Sequence, residues 1–94
     1  MLEDFDKTFE SRVRLGIMAI LMVNDWVEFL TFKELLNLTD GNLASHIASL
    51  EKMDYLEVKK AFIGRKPSTS YKATKKGRNA FNKHLKAIES LIKK

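Results

Sequence analysis

The sequence predicts an α+β, mainly helical fold: a three-helix core, a β-hairpin and a long C-terminal helix. Three observations predict it. Apolar residues recur at helical spacing through the first half of the chain. Alternation of period two takes over between residues 56 and 73, around the basic segment Gly64-Arg65-Lys66-Pro67-Ser68. Helical spacing then returns after Thr74 and holds to the end. Ninety-four residues support one core rather than two, and 45% hydrophobic content is too high for a disordered chain, so residues 1–94 are read as one domain.

The first helix is predicted over residues 8–24, where Val13, Ile17, Ile20 and Leu21 share a face with Met18 and Met22 beside it. Asn24-Asp25 ends it, and residues 27–31 form a short edge strand or an extended link. Thr31 and Glu34 have the spacing of a capping box for a short second helix through Phe32, Leu35 and Leu36, stopping near Asn37. Thr39 is the predicted cap of a third helix over about 39–53, with Asp40 complementing the dipole in its first turn. Leu43, Ile47 and Leu50 form its buried stripe. Asn42, Ser45, His46, Ser49 and Lys52 occupy the other side. A hairpin over about 56–74 follows, with Gly64 and Pro67 shaping its turn. Thr74 caps the last helix, about 75–93, whose stripe is Ala80, Phe81, Leu85, Ile88, Leu91 and Ile92.

Charge is divided along the chain. Residues 1–51 carry four Lys and Arg against nine Asp and Glu, a net −5; residues 52–94 carry thirteen against three, a net +10. A basic half in a small domain suits a polyanionic partner, although a lysine-rich solvated surface would show the same sum. The longest apolar run, Gly16 to Val23, is too short to span a bilayer, and the acidic N-terminus is not a signal peptide, so a cytoplasmic protein is expected. There is no cysteine, so no disulfide framework and no cysteine zinc site. His46 and His84 are far apart with no ligand cluster beside them, and no metal or cofactor is expected. Ser45 and His46 are neighbours on a helix and point apart, which excludes a catalytic pair; no Gly-rich phosphate loop exists, and no enzymatic activity is expected.

The outer face of helix 39–53 is compact, hydrogen-bonding and almost uncharged. Purely solvated helix faces usually carry more Glu and Lys, whereas short polar groups close to a duplex are what base-edge reading needs. Beside it, Arg65 and Lys66 at the hairpin tip have the charge to hold phosphates, and Arg65 to enter a narrow minor groove. A helix for the major groove and a basic hairpin for the flanking backbone together suit double-stranded DNA.

Two motifs then point to a family. The first is Leu38, Thr39, Asp40, Gly41, Asn42 and Leu43, continued by His46, Ile47, Leu50 and Glu51. The second is Gly64, Arg65, Pro67, Thr69, Tyr71, Thr74, Gly77 and Arg78. With the element order they resemble the small single-domain winged helix-turn-helix transcriptional regulators of the MarR/ArsR type, over roughly residues 10–90. The resemblance implies a dimeric DNA-binding regulator with its recognition helix at 39–53 and its wing tip at 64–70.

The expected DNA-contacting residues are Lys33, Thr39, Asn42, Ser45, His46 and Ser49 around the recognition helix, and Arg65, Lys66, Ser68, Thr69, Ser70 and Tyr71 on the wing. Tyr71 either reaches the DNA backbone or packs. Phe5, Phe9, Met18, Met22, Phe81, Leu85, Ile88 and Leu91 are expected to form a homodimer seam, or else to complete the monomer core. Repression by occlusion is the default mode of action. A small-molecule effector could enter between the dimer helices, but no convergent polar group marks a site. Two other readings stay open: a winged-helix protein–protein module, and an architectural or RNA-binding protein acting by charge alone.

Overall fold

The computed structural model describes residues 2–93. Its element order is α1 (Arg12–Met22), β1 (Val27–Glu28), α2 (Phe29–Leu36), α3 (Asp40–Lys52), β2 (Leu56–Ile63), β3 (Lys66–Ala73) and α4 (Lys75–Ile92), preceded by two 3₁₀ turns, Leu2–Asp4 and Lys7–Glu10. The strands form an antiparallel sheet in the order β1-β3-β2. This is the predicted α+β arrangement, with the β2–β3 hairpin as the wing.

The predicted helix over 8–24 is two elements. Asp6 caps the 3₁₀ turn by accepting from the Thr8 amide, and Ser11, in extended backbone, caps α1 by accepting from the Arg14 amide at 3.3 Å. Two successive caps break what apolar spacing alone reads as one helix. The second helix likewise starts at Phe29 rather than after Thr31. Glu28 occupies its N-cap position with no side-chain bond, and Thr31 is exposed inside the helix. Pairing of Val27 and Glu28 with Tyr71 and Ser70 fixes where the chain leaves the sheet, and that tertiary constraint overrides the local capping signal. Asn37 in the left-handed region (φ 52°, ψ 57°) ends α2, where it is tolerated as a helix terminator.

α3 begins as predicted. Thr39 accepts from the Asn42 amide at 3.2 Å, and Leu43, Ile47 and Leu50 are buried. The wing turn is tighter than the five residues expected. Gly64 and Arg65 alone connect the strands, and Gly64 supplies the positive φ (67°) that such a turn takes at its first central position. Ile63 and Lys66 flank the turn as a bonded pair. The next pair, Phe62 and Pro67, therefore falls at a non-bonded position, where a missing N–H leaves the ladder intact.

Phe32, Ile17, Met18, Leu21, Leu43, Leu50 and Leu56 form the fully buried centre of one hydrophobic cluster, joined by Phe9, Tyr55, Tyr71 and Phe81. This corrects the seam expectation for Phe9, Met18 and Phe81, which lie inside a single chain. Phe9 stacks on Tyr55 and meets Phe81 edge-on. Phe5, Met22 and Ile88 are half-buried, and Leu85 and Leu91 are exposed at 42% and 44%.

The N-terminal segment is fastened by Asp6. Its carboxylate accepts from Tyr55 Oη at 2.7 Å and from the Thr8 amide at 2.9 Å, while its own amide donates to His84 Nδ1 at 3.1 Å. Burial opposes ionisation of Asp6, but the bonds from Tyr55 and Thr8, with the nearby His84, outweigh it and hold the carboxyl below the usual aspartate range. Burial and the bond to Asp6 push the Tyr55 hydroxyl up to about 12. A carboxyl lowered on folding stabilises the protein above its unfolded pKa, and that contribution is lost as pH falls through the lowered folded value. Asp6→Ala is therefore expected to cost about 1–3 kcal/mol at neutral pH, and to differ least from wild type at the acid end of a thermal-melt series.

Candidate nucleic-acid interface

α3 has three sides, set by its 3.6-residue turn. The buried stripe faces α1 and α2. Ala44, Ala48 and Glu51 border a groove against the wing, opposite Val58, Lys60 and Thr69. Gly41, Ser45 and Lys52 are exposed, and Ser49 beside them bonds its hydroxyl back to the Ser45 carbonyl at 3.2 Å. The outward surface is thus short-chained and hydrogen-bonding over its first two and a half turns, with Lys52 at its C-terminal end.

The wing extends from the α3–β2 junction; beyond Val58 its β2 strand is exposed, while Ser68, Thr69 and Ser70 on β3 are half-buried. The molecule measures 54 × 25 × 21 Å, a long shape for its size. Cross-strand register places Lys60 and Thr69 on the face toward α3, and Lys59, Ser70, Ser68 and Lys66 on the opposite face. The cations divide by position. At the wing base, Lys59 Nζ lies 4.3 Å from the Trp26 ring centroid, and Lys72 pairs with Asp25 at 3.1 Å. At the tip, Arg65 and Lys66 are exposed and pair with no acidic side chain among the described residues. A cationic tip without internal partners keeps its charge available to an anion.

The other candidate residues are distributed as follows. Lys33 pairs with Asp40 at 2.8 Å, which neutralises the one acidic group in the first turn of α3. Tyr71 is 7% exposed and packs against Phe32, with 6.2 Å between ring centroids; burial, then the charge of Glu51, raises its hydroxyl above the usual range. Of its two readings, packing is what the structure shows. His46 is half-buried and turned toward α1, where its Nδ1 accepts from Arg14 Nε at 3.1 Å. Burial, then the Arg14 charge, holds the imidazole below its ordinary range. With Nδ1 accepting, the ring proton belongs on Nε2. The sequence reading missed Arg14, which lies in the acidic half of the chain and 32 positions from its partner.

Two residues of the second motif serve the scaffold. Gly77 lets α4 approach the Tyr55 carbonyl, and the Arg78 guanidinium donates to the carbonyls of Leu21 and Met22 at 3.3 and 3.5 Å, closing the C-terminal end of α1. Among the described residues no three His, Cys, Asp or Glu side chains converge to hold a metal ion, and no helix is long and apolar enough to cross a membrane.

The geometry agrees with relatives in sequence and structure. A family model described as a winged helix DNA-binding domain matches residues 13–92. An uncharacterized protein of Methanocaldococcus jannaschii is 44% identical over 87 residues, covering 93% of this chain and 95% of that protein. The solved structure of a transcriptional regulator homologue from Pyrococcus horikoshii OT3 superimposes with a TM-score of 0.80 at 29% identity, covering 97% of this chain and 95% of that one. ZitR of Lactococcus lactis, a zinc-responsive MarR family member, shares the fold at a TM-score of 0.68 and 13% identity; 88% of this chain matches 56% of ZitR. The fold expected from the two motifs is therefore the one found in MarR-family regulators. With most of its length matched by the family model and by full-length relatives, the chain belongs to the winged helix DNA-binding domain family, a family of binders rather than catalysts.

Proposed function

We propose that this protein is a sequence-specific, double-stranded-DNA-binding transcriptional regulator. It acts in the cytoplasm as a homodimer and represses by occlusion, with residues 1–94 working as one domain. The observation that carries this reading is the pairing of a compact outer face on α3, uncharged apart from Lys52 in its last turn, with a projecting wing whose tip cations have no acidic partner among the described residues. Asn42, Ser45 and Ser49 present hydrogen-bonding groups to base edges in the major groove, with Thr39 at the helix entrance and Lys33 near the backbone. Arg65 and Lys66 hold phosphates beside the adjacent minor groove, and Ser68, Thr69 and Ser70 add neutral donors along the same strand.

The test is fluorescence anisotropy against the gene's own upstream DNA and against a random duplex, each across a salt series. A specific site should bind on the order of a thousandfold more tightly than random DNA, with a steep salt slope. Equal, salt-sensitive binding to both would favour a charge-driven nucleic-acid binder, and no binding at low salt would sink the DNA reading.

Dimerisation rests on the outward apolar surface of α4. Leu85, Ile88 and Leu91 lie at helical spacing, Phe5 packs edge-on against His84 of the same helix, and Ile92 adds to them at 75% exposure. One recognition helix gives little specificity, whereas two related by a twofold axis read half-sites about one helical turn apart. Leu85→Glu combined with Leu91→Glu should yield a folded monomer by sedimentation and lower affinity for the specific site at least tenfold. A variant that remains dimeric would place the seam elsewhere.

A further inference from the structure

The wing accounts for one edge of α3; the opposite edge carries charge as well. Ala44 and Ala48 border the wing groove, and Asn42 and His46, also one turn apart, border α1. Asn42 shares a shallow cleft with Arg12, Val13, Asn37 and Leu38. His46 receives the Nε–H of Arg14. Ser45 and Ser49 lie between the two edges, on the outward surface.

A helix about 10–12 Å across fills a major groove about 12 Å wide, so a phosphate strand runs along each of its edges. We propose, building on the DNA-binding reading above, that Arg12 and Arg14 form a second phosphate-binding edge opposite the wing, and that His46 is the positioning residue that sets Arg14 in place.

Three features of the site argue for it. Neither arginine pairs with an acidic side chain among the described residues, although nine of the twelve carboxylates lie in the same half of the chain. Arg14 is anchored through Nε, by a neutral acceptor, which leaves its terminal nitrogens free to meet a phosphate as a fork. A carboxylate in place of His46 would cancel that charge; an imidazole fixes the side chain and preserves it. The only acid in the first turn of α3, Asp40, is already paired with Lys33 and does not oppose a phosphate there.

The test uses the full chain, checked for folding by circular dichroism, with binding to the specific and random duplexes measured across a salt series. Arg12→Ala with Arg14→Ala should lower the slope of log K against log salt by about 1.8 on both duplexes, about 0.9 for each phosphate no longer neutralised. His46→Ala should lower the slope by about 0.9 or less and leave the preference for the specific duplex unchanged. His46→Asn, whose side-chain oxygen can take the place of Nδ1, should restore it. An unchanged slope in the double variant, while wing variants still lower it, would overturn this edge and leave the DNA-binding reading standing. A His46→Ala variant that loses base preference at constant slope would make His46 a base reader and overturn its positioning role. No binding by the wild-type protein to any duplex would overturn both readings.

Discussion

Gly77→Ala should destabilise the protein by about 3 kcal/mol or more, a fall in melting temperature of about 12 °C or more. Helix propensity alone predicts the opposite sign, since alanine in a helix is favoured over glycine by about 1 kcal/mol. The difference is space. A Cβ on Gly77 would lie 2.0 Å from the Tyr55 carbonyl oxygen, 2.8 Å from its carbon and 2.9 Å from its Cα. All three are backbone atoms, and that backbone is held on several sides. The Tyr55 amide donates to the Leu50 carbonyl, its own carbonyl accepts from the Thr74 amide, and its hydroxyl donates to Asp6. The Thr74 hydroxyl meets the carbonyl of Asp54, which itself adopts a positive φ of 62°. Relief would require moving α4 off the α3–β2 junction, which disturbs the burial of Phe81 and Phe9 behind it. Gly41→Ala is the matched control. Nothing lies within 4 Å of its Cβ position, so it should be neutral or slightly stabilising. Thermal unfolding followed by circular dichroism decides; equal melting temperatures for Gly77→Ala and wild type would refute the close approach.

The sequence was most informative where local chemistry and tertiary demand agree. Thr39 caps α3 and Leu43, Ile47 and Leu50 are buried as the spacing requires, because a cap and an apolar stripe are both short-range signals. It was least informative where distant partners decide. The capping box at Thr31 and Glu34 yields to the pairing of Val27 and Glu28 with β3. The wing turn reads as five residues because Lys66, Pro67 and Ser68 look like turn residues. Only the register shows that Pro67 falls at a strand position needing no donor. Phe9, Met18 and Phe81 have the spacing of a seam and of a core alike, and periodicity carries no information about which apolar face meets its own chain. For the candidate interface, the wing cations and the polar face of α3 could be read from residue type and position. The turn of His46 toward Arg14 could not, since it depends on the angle at which α1 packs on α3.

Arg65→Ala with Lys66→Ala should weaken binding to specific and random duplexes alike, by about ten- to a hundredfold at moderate salt, and lower the salt slope by about 1.8. The hairpin itself should survive. Gly64 supplies the positive φ of the turn, and the β2–β3 pairing runs from Ile63↔Lys66 back to Leu56↔Ala73, with no side-chain bond from Arg65 or Lys66 among the described residues. A fall in affinity would then report missing charge rather than missing structure. The contrast is with Asn42→Ala or Ser45→Ala on α3, which removes a neutral group facing the groove. These should reduce the ratio of specific to random affinity, by about 1–3 kcal/mol for a base edge left without its partner, while leaving the slope in place. The two classes separate because binding a phosphate releases counterions whatever the base sequence, whereas reading a base edge releases none. Wing variants that bind both duplexes with wild-type affinity and slope would show that the projecting hairpin does not touch the backbone. The cationic surface would then have to be sought on α1 and α4.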